Sequence, residues 1–318
     1  MIYSRQNKTI DMKLQTLLPS LLVTLALTIS FEARSETPKA VIPAEQALAT
    51  SPRPLMWEIT DKDSTVYLFG SIHVLKEGVN WMTPDVRAKF ESADDLWLEV
   101  PDIDNATAVM QAAQKYMANP ANDMAAGLTP EEVAHLNAIL TPFNLSSEKL
   151  KGLKKWAVGL LLASQQMQAL GYNSKLGVDV TFLDGARYLG KRVHGFETLD
   201  QQMNFLIPAN DAEDIESLRE AIKDYDHGEA DLKSLTSAWL AGDEEGLAKF
   251  LVEKMKNDEP DGYQRLIVQR NTRWEPQIEE ILKGKGTVFI AVGAAHLVGP
   301  DSVIAQLKSH GIAARLVK

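Results

Sequence analysis

The chain has no cysteine among its 318 residues. Disulfides, zinc–thiolate sites and cysteine nucleophiles are therefore excluded. Cationic side chains are in deficit: 33 Lys and Arg face 43 Asp and Glu, for a formal net charge of −10. With no basic excess to neutralise phosphates, nucleic acid is not expected as a partner. Histidine is scarce, at six residues. There is no His-Glu-x-x-His helix, no Gly-x-Ser-x-Gly elbow and no phosphate-binding glycine loop. No periodic repeat runs through the chain. What is present is ordinary for a globular protein, 45% hydrophobic and 24% charged. The length suffices for a well-buried core, as one large domain or two small ones.

The N-terminus reads as a targeting segment. Leu14 to Phe31 is uncharged and mostly apolar, Lys13 precedes it, and Glu32-Ala33-Arg34-Ser35 follows. A basic start, an apolar stretch and a small-residue exit describe a secretory signal peptide. Met12 is an alternative start. The rival reading is an uncleaved anchor, since the run is near the lower limit of about 17 residues for spanning a bilayer. Only in that case is a membrane a partner. The expected organisation is a signal peptide over 1–35, a Pro/Ala/Thr/Ser-rich linker over 36–55 and one domain over 56–318. Residues 1–35 carry four cations and two anions, so their removal leaves a net charge of −12. An exported, acidic, cysteine-free protein fits the bacterial periplasm.

Two short segments resemble each other. Val66 to His73 and Phe289 to His296 each form an apolar run, then Gly-x-x-His, with the glycines at Gly70 and Gly293. An apolar run stopped by Gly reads as a buried strand leaving into a turn. Each copy continues into a Pro-containing helix start, at Thr83-Pro84-Asp85 and at Gly299-Pro300-Asp301, and then a strand. The strand–turn–helix–strand order predicts parallel crossovers. A hairpin is expected from Trp57-Glu58-Ile59 and Thr65–Phe69. A third unit consists of a helix from Val178 to Leu189 and a strand Arg192–Glu197. Helical blocks fill 103–171 and 199–284, including a long apolar helix over 150–170, and Pro276 is expected to break the last of them. The fold class is thus α/β, with a central mixed or parallel sheet and large helical insertions.

This layout puts His73, Glu99, Glu197 and His296 at or just past the C-terminal ends of strands. If those strands are parallel in one sheet, all four project from one rim, where α/β folds place their chemistry. Two imidazoles and two carboxylates there make a metal site or a general acid/base set. Asp179, opening the middle helix, is positioned to join them. Each also has a plain structural reading: a helix cap for either His, a salt bridge for Glu99, a helix-start role for Glu197, a dipole partner for Asp179. A recurring Gly-x-x spacing favours function for the His pair.

In this context the chain resembles the TraB/PrgY/GumN family, which includes the animal Tiki proteins. The resemblance rests on Trp57 with Tyr67 to His73, Leu98-Glu99, Gly177-Val178-Asp179, Phe196-Glu197-Thr198 with Gln201, Arg270-Asn271 and Val292 to Gly299. Ala295 departs mildly, standing where the family often has Gly. The resemblance implies a fold like the erythromycin-esterase and ChaN-like group. It also implies a site of His73, His296 and Glu99, and a divalent-metal-dependent peptidase activity as in Tiki proteins. On that reading His73, His296 and Glu99 hold the metal, with Glu99 alternatively the base for a metal-bound water. Arg270 neutralises developing negative charge, Asn271 orients a ligand, and Glu197 and Asp179 support the site. Without thiolates, manganese, cobalt or zinc suits such nitrogen and oxygen donors. The substrate is expected to be a peptide or small molecule. Two other readings stand beside this one: a non-catalytic module that sequesters a peptide, and a metal-independent, esterase-like hydrolase.

Overall fold

A computed structural model describes residues 52–317. The proposed signal segment and linker residues 36–51 lie outside the described residues. The strands are β1 Met56–Thr60, β2 Ser64–Ser71, β3 Leu75–Lys76, β4 Asp95–Leu98, β5 Tyr172–Asn173, β6 Arg192–Gly195, β7 Gly286–Gly293 and β8 Arg315–Leu316. Six of them form a mixed sheet in the order β6-β4-β7-β2-β1-β8, and β3 pairs with β5 separately. The expected hairpin is β1 against β2, and β6, β4, β7 and β2 run parallel. Central strands covered on both faces need apolar residues at successive positions. Accordingly Leu68 and Phe69 of β2 and Phe289, Ile290 and Ala291 of β7 are all fully buried.

The helices are α1 Pro84–Ser92, α2 Ala106–Met117, α3 Pro130–Leu140, α4 Lys155–Ala169, α5 Val178–Tyr188, α6 Leu199–Leu206, α7 Asp211–Tyr225, α8 Gly228–Ala241, α9 Glu244–Ala248, α10 Lys254–Asp258, α11 Pro260–Tyr263, α12 Gln269–Leu282 and α13 Val303–Ser309. Thr83 caps α1 through its side chain, with Pro84 at the first position, as its sequence dictates. Among the described residues no helix is long and apolar enough to cross a membrane.

Four local expectations are corrected. The apolar helix over 150–170 begins only at Lys155, because Gly152 is left-handed (φ 95°) and Leu153 bridges to Ala118. Pro276 does not break α12. It costs the bond its missing N–H would make to the Thr272 carbonyl, but Trp274, Ile278 and Leu282 bury the helix on either side. The helix after His296 starts at Val303 under a Ser302 cap rather than at Pro300. Finally, β8 is not beside β7; it lies on the far edge, antiparallel to β1.

An aromatic cluster joins sheet and helices. Phe182 of α5 meets Phe69 edge-on at 5.3 Å and Phe289 at 4.8 Å. Trp81 and Trp239 pack on the same group. The buried Trp239 indole donates to the Gly70 carbonyl at 2.7 Å, which pins α8 to the end of β2.

Candidate active site

The two Gly-x-x-His segments are neighbours in space, although 223 residues separate their histidines in sequence. β2 and β7 pair directly, but Gly70 lies opposite Val292 and Ser71 opposite Gly293. The copies are therefore out of step by one residue. After β2 the chain stays open to His73, whereas after β7 it tightens into a 3₁₀ turn over Ala294–His296. The histidines consequently differ: the His73 side chain is 39% exposed, that of His296 only 4%.

The glycines serve close approach, not the tight turn expected of them. Neither Gly70 nor Gly293 has a left-handed φ. A Cβ on Gly70 would stand 3.3 Å from Ala294. A Cβ on Gly293 would stand 3.1 Å from Glu99 Oε1, 3.6 Å from His73 Nε2 and 3.6 Å from His296 Cδ2. The three residues expected to form the site thus surround one small space above Gly293.

Each member is held by a specific set of bonds. Asp179 accepts from Ser71 Oγ at 2.6 Å and lies 2.7 Å from His73 Nδ1. This aims His73 Nε2 at the space above Gly293. Asn271 donates to the Asp301 carbonyl at 2.8 Å, so its oxygen faces His296 Nδ1 at 2.7 Å. Nδ1 of His296 therefore carries the proton, and its Nε2 lone pair accepts from Arg270 Nη1 at 3.1 Å. Arg270 also donates to Glu99 Oε2 at 2.5 Å and to both Glu197 oxygens at 2.9 and 3.1 Å. Trp274 lies beneath its guanidinium at 4.7 Å and donates to Glu197 Oε1 at 2.9 Å. Glu99 further accepts from the Gly293 N–H at 2.8 Å and Gln202 Nε2 at 3.1 Å.

These contacts set the charges. Burial pushes the Glu99 carboxyl up, but Arg270, the two histidines and the Gly293 N–H outweigh it and hold Glu99 well below the usual carboxylate range. Burial raises Glu197, only partly opposed by Arg270. Burial would lower Arg270, but Glu99 and Glu197 more than compensate, so the guanidinium stays charged. His296 is pushed down to about 3, by burial first and Arg270 second. His73 goes the other way. Burial lowers it, but the Asp179 carboxylate and then Glu99 carry it up to about 9.

His73, Glu99, Asp179, Glu197, Arg270, Asn271 and His296 meet here; Gln201, quoted only for the family motif, does not. Gln201 closes a capping box with Thr198 at the start of α6, and its neighbour Gln202 reaches Glu99 instead. Ser71, Gln202 and Trp274 were not anticipated as members. Ser71 lies inside the first Gly-x-x-His segment, which was the available signal; a helical Gln or Trp carries none.

The donor chemistry fits a divalent ion. Both imidazoles have Nδ1 engaged by an oxygen and Nε2 turned inward, the arrangement that fixes metal-binding histidines. Glu99 adds an ionised oxygen. A cavity of about 20 Å³ lined by His73, Glu99, Asp179 and Gln202 together with Leu98, Val100 and Ile103, but not by His296, has room for about one water or ion. The three expected ligand atoms do not, however, close to within 4.8 Å of one another, the spacing that Glu275, Glu279 and His310 do reach elsewhere. His296 Nε2 and Glu99 Oε1 lie 3.8 Å apart, so His73 is the member that stands off, and Arg270 Nη1 takes the His296 lone pair. An ion would exchange that one bond, while Arg270 keeps Glu99 and Glu197.

Comparison with known proteins identifies the family. The model of the TraB/PrgY/gumN family matches residues 55–315. The chain belongs to that family. An uncharacterized protein of Treponema pallidum (strain Nichols) is 24% identical over 265 residues, 78% of each chain. The uncharacterized protein YbaP of Escherichia coli (strain K12) is 23% identical over 244 residues, covering 76% of this chain and 87% of YbaP. YbaP of Shigella flexneri matches to the same extent. In this TraB/PrgY/gumN chain the matched region spans every side chain of the site.

Proposed function

We propose that the chain is an exported, metal-dependent hydrolase acting on an amide bond of a peptide or protein. The observation that carries this reading is the convergence of His73, His296 and Glu99 on the space above Gly293. Manganese, cobalt or zinc held by these three residues would polarise the substrate carbonyl and make water nucleophilic near neutral pH. The chain's own groups prepare that chemistry. Asp179 and Asn271 fix the ring orientation of the two histidines. Arg270 keeps Glu99 ionised, as either a ligand or a base requires. Glu197 and Trp274 hold Arg270 in place. Metal content of untagged protein, measured with peptide hydrolysis before and after chelation, tests the proposal. Bound metal in near-stoichiometric amount and chelator-sensitive hydrolysis are expected; metal-free protein indifferent to chelators would overturn it.

A second reading has its own support. Arg270 already occupies the His296 Nε2 lone pair and neutralises Glu99, and the His73–Asp179 pair is partly open, the His73 side chain 39% exposed. A metal-independent hydrolase would use His73 as general base on water, active as the ring loses its proton near pH 9. Hydrolysis that survives chelation but disappears in His73→Ala would select it. Peptide binding that persists in the His73→Ala/His296→Ala double variant, with no products, would instead select a sequestering module. Export is a matter of residues 1–35: a mature N-terminus near residues 34–37 in the periplasmic fraction supports it, and an intact N-terminus in membranes counts against it.

A further inference from the structure

A second cavity, of about 230 Å³, opens beside His73. Its lining includes the chain from Gly293 to Ala295, shared with the site, and is mostly apolar apart from Ser71, His73, Tyr172 and Thr236. Leu232 and Leu235 come from α8, Met167 from α4 and Leu251 from the π-helical turn Lys249–Glu253. These four are only partly buried, so the sequence spends large apolar side chains on a concave, accessible wall. No lining residue besides His73 is ionisable near neutral pH. The Tyr172 and Thr236 hydroxyls in its lining face each other at 3.4 Å.

We propose that this cavity seats a large apolar side chain of the substrate, leucine- or phenylalanine-like, flanking the bond that is hydrolysed. The inference rests on the hydrolase reading above and adds the substrate's class. The size selects a side chain: about 230 Å³ corresponds to roughly eight waters at about 30 Å³ each, below the range of about 300 Å³ and upward that holds a whole drug-sized ligand. The lining selects the chemistry, because apart from His73 it offers a charged side chain nothing to offset its desolvation. Continuity selects the position, since the Gly293–Ala295 segment that lines the cavity also carries Gly293, against which His73 Nε2 and Glu99 Oε1 lie.

The test has a binding arm that needs no catalysis. N-acetyl-leucinamide, N-acetyl-phenylalaninamide and N-acetylglycinamide are titrated into the mature protein by saturation-transfer NMR. The two apolar probes should bind at least about tenfold more tightly than the glycine probe. Leu235→Trp and, separately, Leu232→Trp fill the cavity and should abolish the preference, with thermal melts confirming that each variant is folded. Equal binding of all three probes, or a preference unchanged in a folded filling variant, overturns the proposal. In the second arm a defined peptide pool is digested and the cleaved bonds are read by mass spectrometry. Apolar residues should flank them at least tenfold more often than Asp, Glu, Lys or Gly, and cleavage without that preference also overturns the cavity assignment. Selective probe binding with no cleavage of any peptide would uphold the cavity and sink the hydrolase instead.

Discussion

Replacing Arg270 by Met tests the electrostatic core of the site. The guanidinium is 7% exposed and holds two carboxylates that are 10% and 4% exposed. In Arg270→Met both lose their main counter-ion, and Glu99 keeps only the His73 charge. Removing one partner of a buried ion pair costs about 3–5 kcal/mol, and the Gly293, Gln202 and Trp274 donors that remain keep the expectation near the lower end. For a domain of this size that lowers the melting midpoint by roughly 5–10 °C. The sign of the pH dependence follows from linkage. In the wild type Glu99 is depressed, so its contribution is present above its unfolded value and is lost as pH falls toward its folded one. In the variant, burial without Arg270 raises both carboxyls, and protonation relieves them as pH falls. The deficit should therefore be largest at about pH 8 and clearly smaller at about pH 5, as measured by urea unfolding of both proteins at the two pH values. Adding Glu197→Gln to Arg270→Met should restore part of the loss by removing one stranded charge. A deficit below about 1 kcal/mol at pH 8, or one independent of pH, would refute the reasoning.

Asp179→Asn removes the main group that raises His73. NMR titration of the His73 ring should give a value near 9 in the wild type and a fall below it in the variant; an unchanged value would show that Asp179 is not the cause. His296 stays neutral in the fold down to about 3, while in the unfolded chain it protonates below about 6.5. Stability should thus decline as pH falls through that window, and His296→Gln should flatten the decline in urea titrations. Gly293→Ala places a methyl 3.1 Å from Glu99 Oε1. It should cost about 1–3 kcal/mol and abolish hydrolysis, whereas an active and equally stable variant would remove Gly293 from the site. Trp239→Phe deletes the buried donor to the Gly70 carbonyl, for a loss of about 1–3 kcal/mol in thermal or urea unfolding.

Much of this protein is local enough to be legible in its sequence. The buried strands, the β1–β2 hairpin, the Thr83–Pro84 helix start and the α5–β6 unit follow from apolar runs, caps and turn residues that act within a few positions. Strand ends with His and Glu then placed His73, Glu99, Glu197 and His296 on one rim, because parallel strands share a direction. What the sequence could not supply was strand order and register, which depend on packing between distant segments. Inserting β7 between β2 and β4 brought the histidines together, and a one-residue offset made one of them partly open and the other buried. Arg270 was legible as a charge partner, either for developing negative charge or for Glu99. That it bridges Glu99, Glu197 and His296 at once was decided by α12, which runs through Pro276 because its apolar face outweighs one missing hydrogen bond. Periodicity and caps are short-range, whereas charge pairing in a buried site is settled by which chains the core presses together.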